Sequence, residues 1–339
     1  VTAGGARTAD RAESLRREFG TGLLTTVVTG LPDGGYRWQR RNGLQSPAPF
    51  APVPDSPAEA AGDVGALGPG DPAPPEDGPG PKAARTGDRI RQLRPDGAVR
   101  WVVGEAEGAD RVYRVRGPES VAGRLLREGP DEQLATTLHG LGRALRALHA
   151  LPVPQDVGSG VRPRGLVRLD DWLAGRSPSP RAAYAESFLR PRLGDAHLSA
   201  VRELSAELTA GPGNADTVLC HGAPGLGALI PAAAGTGARG EADMLIGEDL
   251  CPASWQFDVG WTLGELVELK WYRGGDRPEQ WSASLRSFFQ GYGRDLGDAW
   301  ARHAALRVLL HLHDYTSYVG WDQHTVEKYT GFVKFLLDT

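Results

Sequence analysis

Cys220-His221-Gly222-Ala223-Pro224-Gly225-Leu226-Gly227-Ala228-Leu229-Ile230 is the stretch on which the reading of this chain turns. It follows the apolar run Thr217 to Cys220 and ends in two apolar residues. The pattern is therefore a short strand, a loop of small residues and the start of another strand. Met244 to Ile246 is a second short apolar run, followed by Gly247-Glu248-Asp249-Leu250. Phe257-Asp258-Val259-Gly260-Trp261 then opens a helical pattern, with Asp258 placed to cap it.

Upstream of these loops the periodicity changes from two to three or four. Leu23 to Val28, Arg89 to Leu93, Val99 to Val103 and Val112 to Val115 read as strands, and Pro95-Asp96-Gly97 is a hairpin signal between two of them. Residues 46–86 are dominated by Pro, Ala, Gly and Asp, which predicts a flexible insertion that cannot offset its own ordering entropy. Helical spacing covers Pro118 to Glu128 until Gly129-Pro130 stops it, and Leu134, Leu138, Leu141, Leu145 and Leu148 then form the stripe of a second, amphipathic helix. Leu166 to Leu173, Leu198 to Leu208, Trp261 to Trp271, Trp281 to Tyr292 and Trp300 to Tyr318 also read as helices. The expectation is an α+β protein. Residues 1–130 form a small, mostly antiparallel-sheet lobe, and residues 131–339 a larger, mainly helical lobe carrying both loops.

Composition bounds the partners. The 339 residues are 40% hydrophobic, enough for a sizeable core, and a net charge of -4 provides no field to gather nucleic acid or anionic membrane. Two cysteines make no disulfide framework and do not have zinc-ligand spacing, which fits a reducing cytoplasm. No run approaches the ~18 apolar residues of a membrane span, and Val1 to Arg17 lack the apolar core of a signal peptide. No lysine occurs between Lys82 and Lys270, so a function that needs a cation there must use arginine.

Three stretches together resemble the aminoglycoside phosphotransferase family. His221, Gly222, Leu229 and Ile230 match its His-Gly-Asp loop in register. Leu245 to Asp249 with Phe257 to Trp261 is similar to its metal-binding strand and the helix after it, and Leu148-His149-Ala150-Leu151-Pro152 to the close of an upstream helix. The resemblance covers roughly residues 89–335 and implies a bilobal kinase-like fold and ATP- and magnesium-dependent phosphoryl transfer. Ala223 stands where the family has its base, while Ala228 and Gly247 stand where it has metal ligands. The expected site is therefore a displaced one. Glu248 and Asp249 hold the metal or form a solvated acidic turn, and Arg114 and Arg116 replace the phosphate-gripping lysine or are exposed strand charges. His221 orders the loop or transfers a proton, and Asp258 braces the loop. His311-Leu312-His313-Asp314 is read as surface or substrate-side polar residues, since i and i+2 do not share a helix face.

Within that family, Gly247-Glu248-Asp249-Leu250 with Phe257 to Trp261 is similar to kinase-like proteins of actinobacterial class V lanthipeptide and thioamitide biosynthesis. That resemblance implies phosphorylation of serine or threonine in a precursor peptide, with a partner lyase removing the phosphate. A catalytically dead protein that binds a leader peptide or activates a partner is the alternative, and an antibiotic phosphotransferase ranks last.

Overall fold

The computed structural model describes residues 16–46, 49–50, 86–93, 99–154, 161–209, 216–238 and 240–339. Most of the 46–86 stretch and the Pro95-Asp96-Gly97 turn lie outside these residues. The first lobe is built on β1 (Arg16–Gly20), β2 (Leu24–Gly30), β3 (Tyr36–Asn42), β5 (Glu105–Glu107) and β6 (Asp110–Val115). They form one antiparallel sheet in the order β1-β2-β3-β6-β5. Alternation drives it: Thr26 and Val28 of β2, Trp38 of β3 and Tyr113 and Val115 of β6 are buried while several of their neighbours face outward.

Two expected strands behave differently. Arg89 to Leu93 lies in a helix, α1 (Thr86–Gln92), and the turn after it; Ile90 and Leu93 are three apart, a spacing that serves a helix face as well as a strand. Val99–Val103, β4, is a strand but leaves the antiparallel sheet. It pairs in parallel with β9 (Ala242–Ile246), Trp101 opposite Met244, and β8 (Leu229–Pro231) completes a three-stranded sheet. Every residue of β9 is buried, and β4 adds Val99, Trp101 and Val103 on one face while Arg100 stays exposed on the other, so apolar burial stabilises the pair mainly on one face. This sheet joins the lobes directly.

Helices make up most of the second lobe: α2 (Val121–Glu128), α3 (Glu132–His149), α4 (Arg164–Leu173), α5 (Pro180–Leu193), α6 (Asp195–Leu208), α7 (Trp255–Tyr272), α8 (Pro278–Tyr292), α9 (Trp300–Tyr318) and α10 (Gln323–Leu337). The helix expected from Pro118 starts at Val121, because the Ser120 hydroxyl accepts the Gly123 amide at 3.2 Å and caps it. Strands β7 (Thr217–Cys220) and β10 (Cys251–Ser254) pair antiparallel with Cys220 opposite Cys251. They hold together the two ends of the loop region. Among the described residues no helix is long and apolar enough to cross a membrane.

Where α7 meets α9, the His303 imidazole packs against Gly260, 3% exposed, and its Nδ1 has no hydrogen-bond partner among the described residues. Burial, with the charge of Arg302 adding to it, pushes this imidazole from an ordinary 6.5 down to about 4. The unfolded chain therefore binds a proton that the folded one refuses. Stability is fully present above pH 6.5 and falls as the pH drops towards about 4, by ~3 kcal/mol from this residue. Urea unfolding of His303→Leu should show a correspondingly flatter acid slope than the parent. Identical slopes would mean that the histidine is solvated.

Candidate functional site

Asp258 sits one turn into α7, behind the Ser254 cap, and its carboxylate is fully buried. It accepts the His221 amide at 2.6 Å and the Gly222 amide at 3.0 Å. His149, the last residue of α3, donates from Nε2 to the same carboxylate at 3.0 Å and accepts the Tyr292 hydroxyl at Nδ1. Three separated sequence features, the Leu148-His149 helix end, the His221 loop and Phe257-Asp258, thus meet in one network. Gly222 has φ 90°, and a Cβ on it would lie 1.9 Å from the Asp249 carbonyl oxygen, so only glycine lets the two loops touch.

His221 is consumed within the loop. Its Nε2 lies 2.7 Å from the Leu245 carbonyl, which can only accept, so that nitrogen carries the proton; Nδ1 then accepts the Ala223 amide at 3.2 Å. The ring packs beside Trp101. This geometry supports the ordering role and leaves no free nitrogen to take a substrate proton.

In front of the loop is a cavity of about 230 Å³, lined by the β2–β3 side of the sheet, the start of α4 and the sides of α7 and α9. Arg40 enters it from β3, Arg164 and Arg168 from α4, and Arg307 from α9. Each has an acidic partner. Arg40 donates to Glu248 at 2.9 Å, Arg164 to Asp249 at 2.8 Å and Arg168 to Asp314 at 2.9 Å, while Arg307 lies 3.9 Å from Glu265. Tyr113 adds its hydroxyl to Glu248 at 2.7 Å, and burial, followed by that carboxylate, pushes its own ionisation well up. Burial alone would push the Asp314 carboxyl up, but Arg168 and His313 together hold it well below the usual range.

The expected acids Glu248 and Asp249 are both in this cavity, with His221; Asp258 lies directly behind. Arg114 and Arg116 are not in it. Arg114 is exposed on β6, and Arg116 is bound to the buried Asp243 and to Glu241 where the chain crosses between lobes. Arg40 is the arginine that lines the cavity from the sheet. Its signal was Tyr36-Arg37-Trp38-Gln39-Arg40, a period-two stretch that puts Arg40 on the same face as Trp38. Arg164 and Arg168 are four apart, one helix face, as are Arg307 and His311. In the His311 to Asp314 run, His311 pairs with Glu268, His313 is buried against Asp314, and only Asp314 reaches the cavity.

A magnesium ion requires oxygen ligands free to turn towards it. Here Glu248 is taken by Arg40 and Tyr113 and Asp249 by Arg164, while Ala228 and Gly247 offer no side-chain oxygen. The residues present do not fit that ion in this arrangement. What the cavity offers is guanidinium groups in a partly desolvated setting, able to exchange their carboxylate partners for a stronger anion such as phosphate.

No family model and no curated protein matches the sequence. Solved structures do match the fold. Choline kinase LicA from Streptococcus pneumoniae has a TM-score of 0.51 and 9% identity, covering 98% of this chain and 99% of that one. The others include a choline/ethanolamine kinase family protein from Mesorhizobium loti (TM-score 0.49, 13% identity, 99% and 94% covered) and aminoglycoside phosphotransferase APH(3'')-Id from Streptomyces rimosus (0.45, 15%, 90% and 95%). At these identities the likeness is one of fold: the chain is an α+β, bilobal, kinase-like protein.

Proposed function

We propose that this chain is an atypical kinase-like phosphotransferase that grips the phosphates of ATP with arginines and transfers phosphate to a serine or threonine hydroxyl of a precursor peptide. The observation that carries this reading is the cavity itself. Arg40 from the sheet and Arg164 from the helical lobe converge on it in front of the His221 loop. That loop is held by the buried Asp258 as a phosphoryl-transfer loop requires, since catalysis of this reaction is largely positioning and charge stabilisation. An incoming triphosphate displaces Glu248 and Asp249 from their arginines. The acceptor then enters past Trp261 and Arg307, which also line the cavity. The peptide class rests on the resemblance of Gly247 to Leu250 and Phe257 to Trp261, and such a product needs a partner lyase to expel the phosphate.

A second reading has an observation of its own. Ala223, Ala228 and Gly247 lack functional groups, and the acids are locked by arginines, which favours a protein that binds peptide or partner without chemistry. Incubating the purified chain with γ-labelled ATP and a Ser/Thr-rich synthetic peptide mixture separates the two. Label in peptide supports transfer; retained nucleotide with no label in peptide or free phosphate supports binding alone.

A further inference from the structure

The loop residue that should accept the substrate proton is Ala223, yet a carboxylate reaches the same loop from behind. Trp261, Thr262 and Glu265 share a face of α7, and residues 223–226 lie across it. The Thr262 hydroxyl donates to the Pro224 carbonyl at 2.9 Å, and the Leu226 amide donates to Glu265 Oε2 at 3.0 Å. A Cβ at residue 225 would lie 2.7 Å from that oxygen, so the bare backbone of Gly225 is what admits the carboxylate to the cavity. Among the described residues Oε1 has no hydrogen-bond partner, and Glu265 borders the cavity together with His221, Ala223 and Asp249.

Resting on the phosphotransferase reading above, we propose that Glu265 is the general base of this protein, in place of the carboxylate that Ala223 lacks. The acceptor oxygen forms a bond to the γ-phosphorus, and the bond from that phosphorus to its bridging oxygen breaks, its electron pair leaving with ADP. The hydroxyl proton passes to Glu265 Oε1.

The surroundings set when that oxygen is free. Burial pushes the Glu265 carboxyl up; Arg307, the Leu226 amide and His311 pull it down, and Glu268, one turn on, pushes it up again. The cavity is also lined by Arg164 with Asp249 and Arg168 with Asp314, each pair neutral in sum. A raised carboxyl is a stronger base than an ordinary one once ionised, and it loses activity on the acid side of its own titration.

Glu265→Gln keeps the size and an acceptor for the Leu226 amide, and is compared with the parent by label transfer from ATP to water and to the Ser/Thr peptide mixture, between about pH 5 and about pH 9. ATP affinity is measured alongside by calorimetry. The expected result is ATP affinity unchanged within about 3-fold, turnover lower by ~10²–10⁴-fold, and loss of the acid limb seen in the parent. Adding Ala223→Asp to Glu265→Gln should restore part of the rate. Equal turnover with the acid limb intact overturns the assignment, as does a parent that binds ATP but turns over neither acceptor. A parent that does not bind ATP overturns the phosphotransferase reading itself, and the base with it.

Discussion

Replacing Asp258 by alanine lowers the stability of the chain by about 3–5 kcal/mol, because the change strips a buried charge from three partners at once. The His221 and Gly222 amides lose their acceptor in a dry environment, and so does the His149 imidazole. An unmet buried donor costs roughly 1–3 kcal/mol each, although such terms do not simply add. Asp258→Asn keeps one oxygen and should cost markedly less. Urea unfolding of the three proteins at neutral pH checks this, and a loss under about 1 kcal/mol for the alanine variant would show that the loop is held by its packing alone. The same network predicts where damage appears first. Amide exchange should quicken at residues 220–226 before it quickens in α3 or α8.

Arg40→Met weakens ATP binding by ~10–100-fold, the loss expected when a charge-assisted, forked contact to phosphate is removed. Its side chain is only 15% exposed and already bonded to Glu248, so a phosphate meets a positioned guanidinium and not a mobile one. Arg40→Lys should fall between the parent and methionine, since lysine restores the charge without the fork. Arg114→Met is the control, as that residue is exposed outside the cavity. Titration of ATP into each variant by calorimetry gives the comparison. A loss confined to the Arg114 variant would return the phosphate grip to β6.

Much of this arrangement could be read from residues alone. The small-residue loop after Cys220, the two apolar runs and the leucine stripe of α3 each have a local cause, and they gave the two-lobe α+β order. Asp258 was legible through the resemblance of the Phe257 to Trp261 stretch to a family helix whose Asp braces the loop; position alone suggested a helix cap, which is Ser254 instead. What escaped depends on partners far away in sequence. Val99 to Val103 carries a strand signal whichever sheet receives it, and only the unbroken burial of Ala242 to Ile246 decides that it crosses to the second lobe. Arg40 and Glu248 are 208 residues apart, so no spacing rule could join them. Arg114 and Arg116 were nearer in pattern to the missing lysine, but pleating turns Arg114 outward and Asp243 claims Arg116. Glu265 lies seven residues beyond Asp258, on the face of α7 that the loop covers, a placement visible only once the loop has been laid upon the helix.

The measurement closest to the central claim is calorimetry of ATP binding to the intact chain, once with magnesium and once with a chelator. Arginines that have carboxylates to exchange, and carboxylates not arranged for a metal, predict micromolar binding that persists in the chelator and weakens as salt rises. No binding in either condition contradicts a phosphate-gripping cavity, and binding only with magnesium contradicts the arginine account of it.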